Sequence, residues 1–358
     1  MLRAITRCRT AALGGHIDQC SACGHQAISY NSCRNRHCPK CQAQARQRWI
    51  AAREKELLDL PYFHVVFTIP HELNALCLRN AQVLYDLLFR ASSAAMLEVA
   101  ANPKRLGAQI GFISILHTWG QNLLLHPHVH CVIPAGGFSA DHQRWVRPKY
   151  AFFLPVAVLS TVFRAKFVQG LRRAFRQGKL VFSGAISQLA EPSRFAAFLD
   201  SLFHQRWVVY AKPAFGSPSR VLRYLGRYTH RVAISHHRLL AFDGEQVTFR
   251  WKDYAHGSKQ RKMTVSGVEF LRRFSQHILP RGLVRIRQFG FLTNRHRSKF
   301  LTLARRLLSA DAGTAEPAVQ TSAALATWRC PHCHGEMRIG PNLSARQLAA
   351  WCRRLDSS

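Results

Sequence analysis

Apolar residues cluster in runs whose lengths and spacings suggest the elements. Over residues 62–70, Tyr62, Phe63, Val65, Val66, Phe67 and Ile69 form a nearly unbroken apolar run closed by Pro70. That length and composition predict a buried strand. Residues 74–101 carry apolar positions at three- and four-residue spacing over a stretch too long for a strand, which predicts one long helix. Residues 110–125 are read as a second helix. Residues 127–134 follow as a strand that stops at Gly136 and Gly137. Residues 146–159 are apolar and are expected to return to the sheet, while 159–182, 195–210 and 221–231 read as helices. Residues 231–251 alternate and turn at Asp243-Gly244, a hairpin signal. Strands and helices mix without regular alternation and no repeat of solenoid length is visible, so the fold class is α+β.

Regional composition divides the chain further. The first 45 residues are rich in Cys, His and Arg and poor in large aliphatics, and a helix over 43–60 leads out of them. Residues 309–326 are small and polar, as in a linker. The expected parts are a cysteine-rich domain over 1–60, a main body over 61–307, and a linker with a Cys/His tail over 308–358.

Charge narrows the function. The chain has 51 Lys plus Arg against 18 Asp plus Glu, a net charge of +33. Such an excess repels itself unless a polyanion neutralises it, and nucleic acid is the simplest partner. The stretch 220–306 concentrates this feature, with 20 basic and four acidic residues interleaved with Trp251, Tyr254, Phe270, Phe274, Phe289 and Phe291. Bases stack on such rings while cations follow the backbone, although some of these rings belong to a core. No stretch of about 18 apolar residues is present, so no membrane helix is expected. No secretory signal is visible, and cysteines paired at two-residue spacing favour metal over disulfides, which points to the cytoplasm.

Three clusters carry chemistry. Cys20-x2-Cys23 and Cys38-x2-Cys41 stand 14 residues apart, and each pair offers two thiolates to one tetrahedral zinc ion. Cys33 and His37, between them, are possible substitutes, and Arg34, Arg36, Arg46 and Arg48 surround the site. Cys330-Pro-His-Cys333-His334 is a weaker half-site that Cys352, His332 or His334 could complete. In the second cluster, His128-Val129-His130 on a strand projects two imidazoles to one face, as a divalent metal needs. The third ligand is left open among His126, His117 and Gln121, the last two sharing a face of the expected helix; Gln121 is the leading candidate. In the third, Tyr224 and Tyr228 lie four apart in a helical pattern, bordered by Arg220, Arg223, Arg227 and Arg231. A tyrosine hydroxyl can act as a nucleophile, and the arginines would stabilise charge on a phosphodiester. Core packing explains the same spacing, since Tyr228 also fits an apolar stripe.

Taken together the motifs resemble the rolling-circle transposases of the insertion sequence 91 family, two-tyrosine members of the HUH endonuclease superfamily. Four segments carry the resemblance in the family's order: the cysteines from Cys20 to Cys41; Phe67-Thr-Ile-Pro-His-Glu-Leu73; His117-Thr-Trp-Gly-Gln-Asn running into His126-Pro-His-Val-His130; and Tyr224-Leu-Gly-Arg-Tyr228-Thr-His-Arg-Val-Ala-Ile-Ser235. The resemblance implies a palm-like antiparallel sheet flanked by helices, with the metal histidines on a central strand, preceded by a small zinc-binding domain. It implies that His128 and His130 bind magnesium or manganese. It also implies that Tyr224 and Tyr228 attack single-stranded element ends and target DNA in turn, leaving 5′-phosphotyrosine links. Rival readings are a replication initiator or relaxase with the same chemistry, and a non-catalytic zinc-dependent nucleic-acid binder. A two-metal carboxylate transposase is disfavoured, because the acidic residues are few and scattered.

Overall fold

The computed structural model describes residues 1–149, 153–215, 226, 232–253, 256–312 and 328–355. They fall into two compact units, one drawn from Met1–Gln47, His230–His236 and Ala315–Ser358, the other from Arg48–Thr229 and His237–Thr314. The first unit is built on β1 (Gly15–Cys20) and β2 (Gln26–Tyr30), antiparallel from Gly15↔Tyr30 to Gln19↔Gln26. The other edge of β1 is filled by the tail: Met337–Arg338 pairs at its end and Asn342–Leu343 at its start. The following helix, Ala345–Leu355, buries Leu348. Residues 337–338 and 342–343 of the Cys/His tail thus complete the amino-terminal sheet.

The second unit contains β3 (Tyr62–Thr68), β4 (Gly111–Trp119), β5 (Leu125–Pro134), β6 (Gly137–Phe138), β7 (Trp145–Val146), β8 (Val209–Phe215), β9 (Leu239–Phe242), β10 (Gln246–Asp253), β11 (Lys259–Ser266) and β12 (Ile286–Gly290). Five of these form an antiparallel sheet in the order β12-β4-β5-β3-β8, with β5 in the centre. One face packs Phe67, Leu116, Val129, Cys131 and Ile133 against Leu84 and Leu88 of helix Ala81–Ala101 and Phe163 and Phe167 of helix Val156–Arg176. The opposite face sets Tyr62, Ile115 and Val132 against Phe138, Trp145 and Phe291, and against Leu301 and Ala304 of helix Arg297–Ala312. Fully buried side chains such as Val65 and Phe67 each contribute roughly 1.5–3 kcal/mol of apolar burial. Gly170 of helix Val156–Arg176 permits close helix packing, because a Cβ there would lie 2.2 Å from Leu87 Cδ1. The α+β class and the antiparallel sheet agree with the sequence reading.

Three expectations are corrected. Residues 110–125 form no helix: they are strand β4, a tight turn and the first residue of β5. Eight of the nine β4 residues are buried, so the strand has lost the alternation that separates strand from helix. The long helix over 74–101 breaks at Asn80, whose amide donates to the carbonyls of Leu76 and Val181 and accepts from the Val181 N–H at 2.7 Å. Among the described residues of the run 146–159, none joins the main sheet. Trp145–Val146 closes the small β6–β7 hairpin, and Val156 already opens a helix. The hairpin at Asp243-Gly244 is present as β9 and β10, with Gly244 at φ +104°. The helix expected over 221–231 lies outside the described residues, Gly226 apart. Among the described residues no helix is long and apolar enough to cross a membrane.

Candidate functional site

The register of the central sheet gathers the histidines. His117 on β4 lies opposite His128 on β5, and His130 sits two residues further along the same face. One ring nitrogen from each of His117, His128 and His130 falls within 4.8 Å of the others. The cluster opens into a cavity of about 770 Å³ lined also by Thr68, Asn74, Trp119, Gln121, His126 and Arg272. Gln121 thus borders the site, but the helical face that would have joined it to His117 does not exist. It lies in the turn beyond β4, while His117 stands within the strand as the third nitrogen of the set.

Neighbouring groups orient each ring. His128 Nδ1 donates to the His126 carbonyl at 2.6 Å, which leaves Nε2 for the cluster. His130 Nδ1 meets His64 Nε2 at 2.8 Å, with the two rings stacked 5.0 Å apart. His117 stacks on Trp119 at 4.5 Å. Burial drives the His128 imidazole down to about 3, the nearby His126 adding to the effect, and holds His130 well below its ordinary value. Burial, with Lys212 second, lowers His64 to about 4. The His64, His128 and His130 rings are therefore neutral at physiological pH, the form in which imidazole ligates a metal. Three imidazoles fit a divalent transition ion; of the two expected cations they suit manganese better than the harder, oxygen-preferring magnesium.

The turn between β4 and β5 is held by three donors from a distant part of the sequence. Arg238 donates to the Gln121 carbonyl, Arg273 to Asn122 at 3.0 Å, and His277 Nε2 to Leu123 at 2.9 Å. His277 Nδ1 in turn accepts from the Thr118 hydroxyl at 3.2 Å. Leu123 is buried at φ +65°, a left-handed conformation that a leucine keeps only under such constraint.

The cysteines divide differently from the expectation. Cys20, Cys23, Cys38 and Cys41 do not share one site. Cys38 and Cys41 join Cys8 and Cys33, and Cys20 and Cys23 join Cys330 and Cys333; each group of four sulfurs lies within 4.8 Å. Cys33 and Cys41 are 3.7 Å apart, and the Cys33 N–H donates to Cys8 Sγ at 3.5 Å. Backbone N–H groups of Cys23 and Ala22 lower the Cys20 thiol to about 6, as suits a metal thiolate. Cys8 was missed because it belongs to no Cys-x2-Cys pair. His64 was missed because a lone histidine in an apolar strand announces nothing until the strand pairing is known.

Tyr224, Tyr228, Arg220, Arg223, Arg227 and Arg231 lie outside the described residues. Of the interleaved aromatics, Phe274 and Phe291 are buried, Phe289 stacks on Phe112, and Phe270 packs on Phe249, so these rings serve packing. The basic groups are better placed. On the β10–β11 hairpin, exposed Arg250 and Lys262 face each other directly across the strands.

Comparison with known proteins adds a family. Residues 111–299 match the family described as "Putative transposase", and residues 1–69 match the "Transposase zinc-binding domain". The chain is 50% identical over 351 residues to the "Putative transposase y4qJ" of Sinorhizobium fredii, covering 94% of this chain and 87% of that one. It is 28% identical over 305 residues to the "Transposase for insertion sequence element IS801" of Pseudomonas savastanoi pv. phaseolicola, covering 82% of this chain and 70% of that one. A solved structure of the conjugative relaxase TrwC with oriT DNA aligns over 47% of this chain and 71% of its own, at 14% identity and a TM-score of 0.25.

Proposed function

This chain belongs to the insertion sequence 91 family of transposases and is a DNA transposase with an amino-terminal zinc-binding domain, and from that premise we propose that it cleaves and rejoins single-stranded DNA at a metal centre built on His117, His128 and His130. The observation that carries this reading is the convergence of the His117, His128 and His130 imidazoles on one cavity along the central strand. The five-stranded antiparallel sheet is read as the palm. A bound manganese or magnesium ion would polarise the scissile phosphate and stabilise charge as it develops.

The protein's own groups do the rest. His64 and the His126 carbonyl fix the orientations of His130 and His128, so that both present a nitrogen to one point. By the family resemblance, Tyr224 and Tyr228 attack in turn. The phenol oxygen forms a bond to phosphorus, the bond to the 3′ oxygen breaks, the phenol gives up its proton and the departing 3′ oxygen takes one. The products are a 5′-phosphotyrosine and a free 3′-OH. Arg220, Arg223, Arg227 and Arg231 are proposed to neutralise the strand beside the tyrosines.

The test is incubation with labelled single-stranded DNA carrying the element's end, in the presence of manganese. A covalent adduct is expected with the wild-type chain, none with Tyr224→Phe/Tyr228→Phe, and none with His117→Ala or His128→Ala. Gln121→Ala should retain the adduct. An adduct that survives loss of both tyrosines would sink the mechanism, and one lost in Gln121→Ala but kept in His117→Ala would restore Gln121 as the third ligand. A protein that binds the DNA without ever forming an adduct is a binder only.

A further inference from the structure

We infer that Cys20, Cys23, Cys330 and Cys333 form a second structural zinc site, separate from Cys8, Cys33, Cys38 and Cys41, and that it clasps the carboxy-terminal tail to the amino-terminal sheet. The inference goes beyond the family's amino-terminal zinc-binding domain, because half of the ligands come from the far end of the chain.

Geometry is the first ground. Cys20 and Cys333 sulfurs are 3.4 Å apart, and Cys23 and Cys330 sulfurs 3.7 Å. A zinc ion holding sulfurs at about 2.3 Å in a tetrahedron sets them about 3.8 Å apart. A disulfide would need about 2.05 Å. The Cys8 group shows the same spacing, 3.7 Å between Cys33 and Cys41.

Local backbone is the second. The two Cys-x2-Cys turns copy each other although they lie at opposite ends of the sequence. The Ala22 N–H donates to Cys20 Sγ at 3.4 Å, and the His332 N–H to Cys330 Sγ at 3.4 Å. The Gly24 N–H donates to the Cys20 carbonyl at 3.1 Å, and the His334 N–H to the Cys330 carbonyl at 3.0 Å. Each turn then closes in the same way, Cys20 N–H to His25 and Cys330 N–H to Gly335. Gly24 sits at φ +73° and His334 at φ +61°, so a histidine adopts the left-handed conformation that its counterpart achieves with glycine. N–H groups aimed at sulfur stabilise the thiolate over the thiol, as a metal ligand requires.

Packing is the third. Among the described residues after 328, the buried apolar side chains are Cys330, Met337 and Leu348. Around the four sulfurs the apolar cluster consists of Cys20, Cys330 and Met337, with Ala27 against it. Two short strand pairings and so small a core are weak anchors for a tail, whereas four zinc–thiolate bonds are strong ones.

The experiment uses the full chain. Zinc measured by mass spectrometry should be two per purified chain, falling to one in Cys330→Ser/Cys333→Ser and to one in Cys8→Ser/Cys33→Ser. A recognition site for a sequence-specific protease is then placed within residues 313–327 of the otherwise unaltered chain. After cleavage the tail should co-elute with the body on gel filtration while zinc is bound, and separate once a chelator is added. One zinc per wild-type chain, two in the Cys330/Cys333 variant, or a tail that leaves with zinc still loaded would each overturn the inference.

Discussion

His64 is buried and does not line the cavity, yet its contact with His130 sets which nitrogen that ligand presents. Groups of this kind typically account for about 10–100-fold of metal affinity. We expect His64→Ala to weaken manganese binding by that factor in calorimetric titration, with metal-free DNA binding unchanged; full affinity in the variant would remove His64 from the site. His277 gives a different signature. Burial lowers it to about 4 from 6.5, so the folded state holds it neutral. Its contribution to stability is complete above pH 6.5 and is lost as pH falls toward 4, because there the unfolded chain takes up the proton and the folded one does not. The loss amounts to roughly 3 kcal/mol. Denaturant unfolding at pH 7.5 and 4.5 should show a smaller difference for His277→Gln than for wild type, and an equal difference would contradict the assignment. The sequence displayed His128 and His130 because a two-residue spacing is visible in one strand. His117 was visible only as a candidate, and His64 not at all, because their places depend on the registers of β4 and β3 against β5.

Among the elements, the β10–β11 hairpin carries an unusual cost. Arg250 and Lys262 oppose each other directly, and like charges so placed destabilise an antiparallel pair. A phosphate backbone laid across them would relieve the repulsion. Arg250→Gln/Lys262→Gln should therefore weaken single-stranded DNA binding and lower the slope of log affinity against log salt by about 1.4, with folding stability equal or higher. An unchanged slope would place the DNA elsewhere. The misread segment 110–125 shows why elements were only partly legible. The β3 run is short and ends at Pro70, so it reads as a strand. In 110–125 strand β4 is buried on both faces, so its apolar residues do not alternate with polar ones, and the polar His117, Thr118, Gln121 and Asn122 fall at spacings that also suit a helix. The turn opens at Gly120, but its conformation, with Leu123 left-handed, is held by Arg238, Arg273 and His277 from more than a hundred residues away. No local pattern records such a constraint.

For the molecule as a whole, the two units differ in what holds them. The Arg48–Thr229 and His237–Thr314 unit has two large apolar cores, while around the Cys20 group the cluster is three buried residues. Chelation of zinc should therefore strip hydrogen-exchange protection from β1 and β2 and leave β3, β4 and β5 protected; retained protection in β1 would show that thiolate sites are not its main support. The charge, the class of partner and the cysteine pairs were all legible in composition and spacing. The grouping of those pairs was not, since spacing cannot tell which pairs meet in space. That grouping also bears on synthesis. Cys23 and Cys330 are 307 residues apart, and at about 5–20 residues per second the ribosome needs roughly 15–60 s to make the interval. For that time β1 has β2 on one side and a bare edge on the other, the kind of strand that recruits stray partners. The sheet built on β1 is thus made long before the strands that complete it, and a copy terminated within that interval is born with the sheet open.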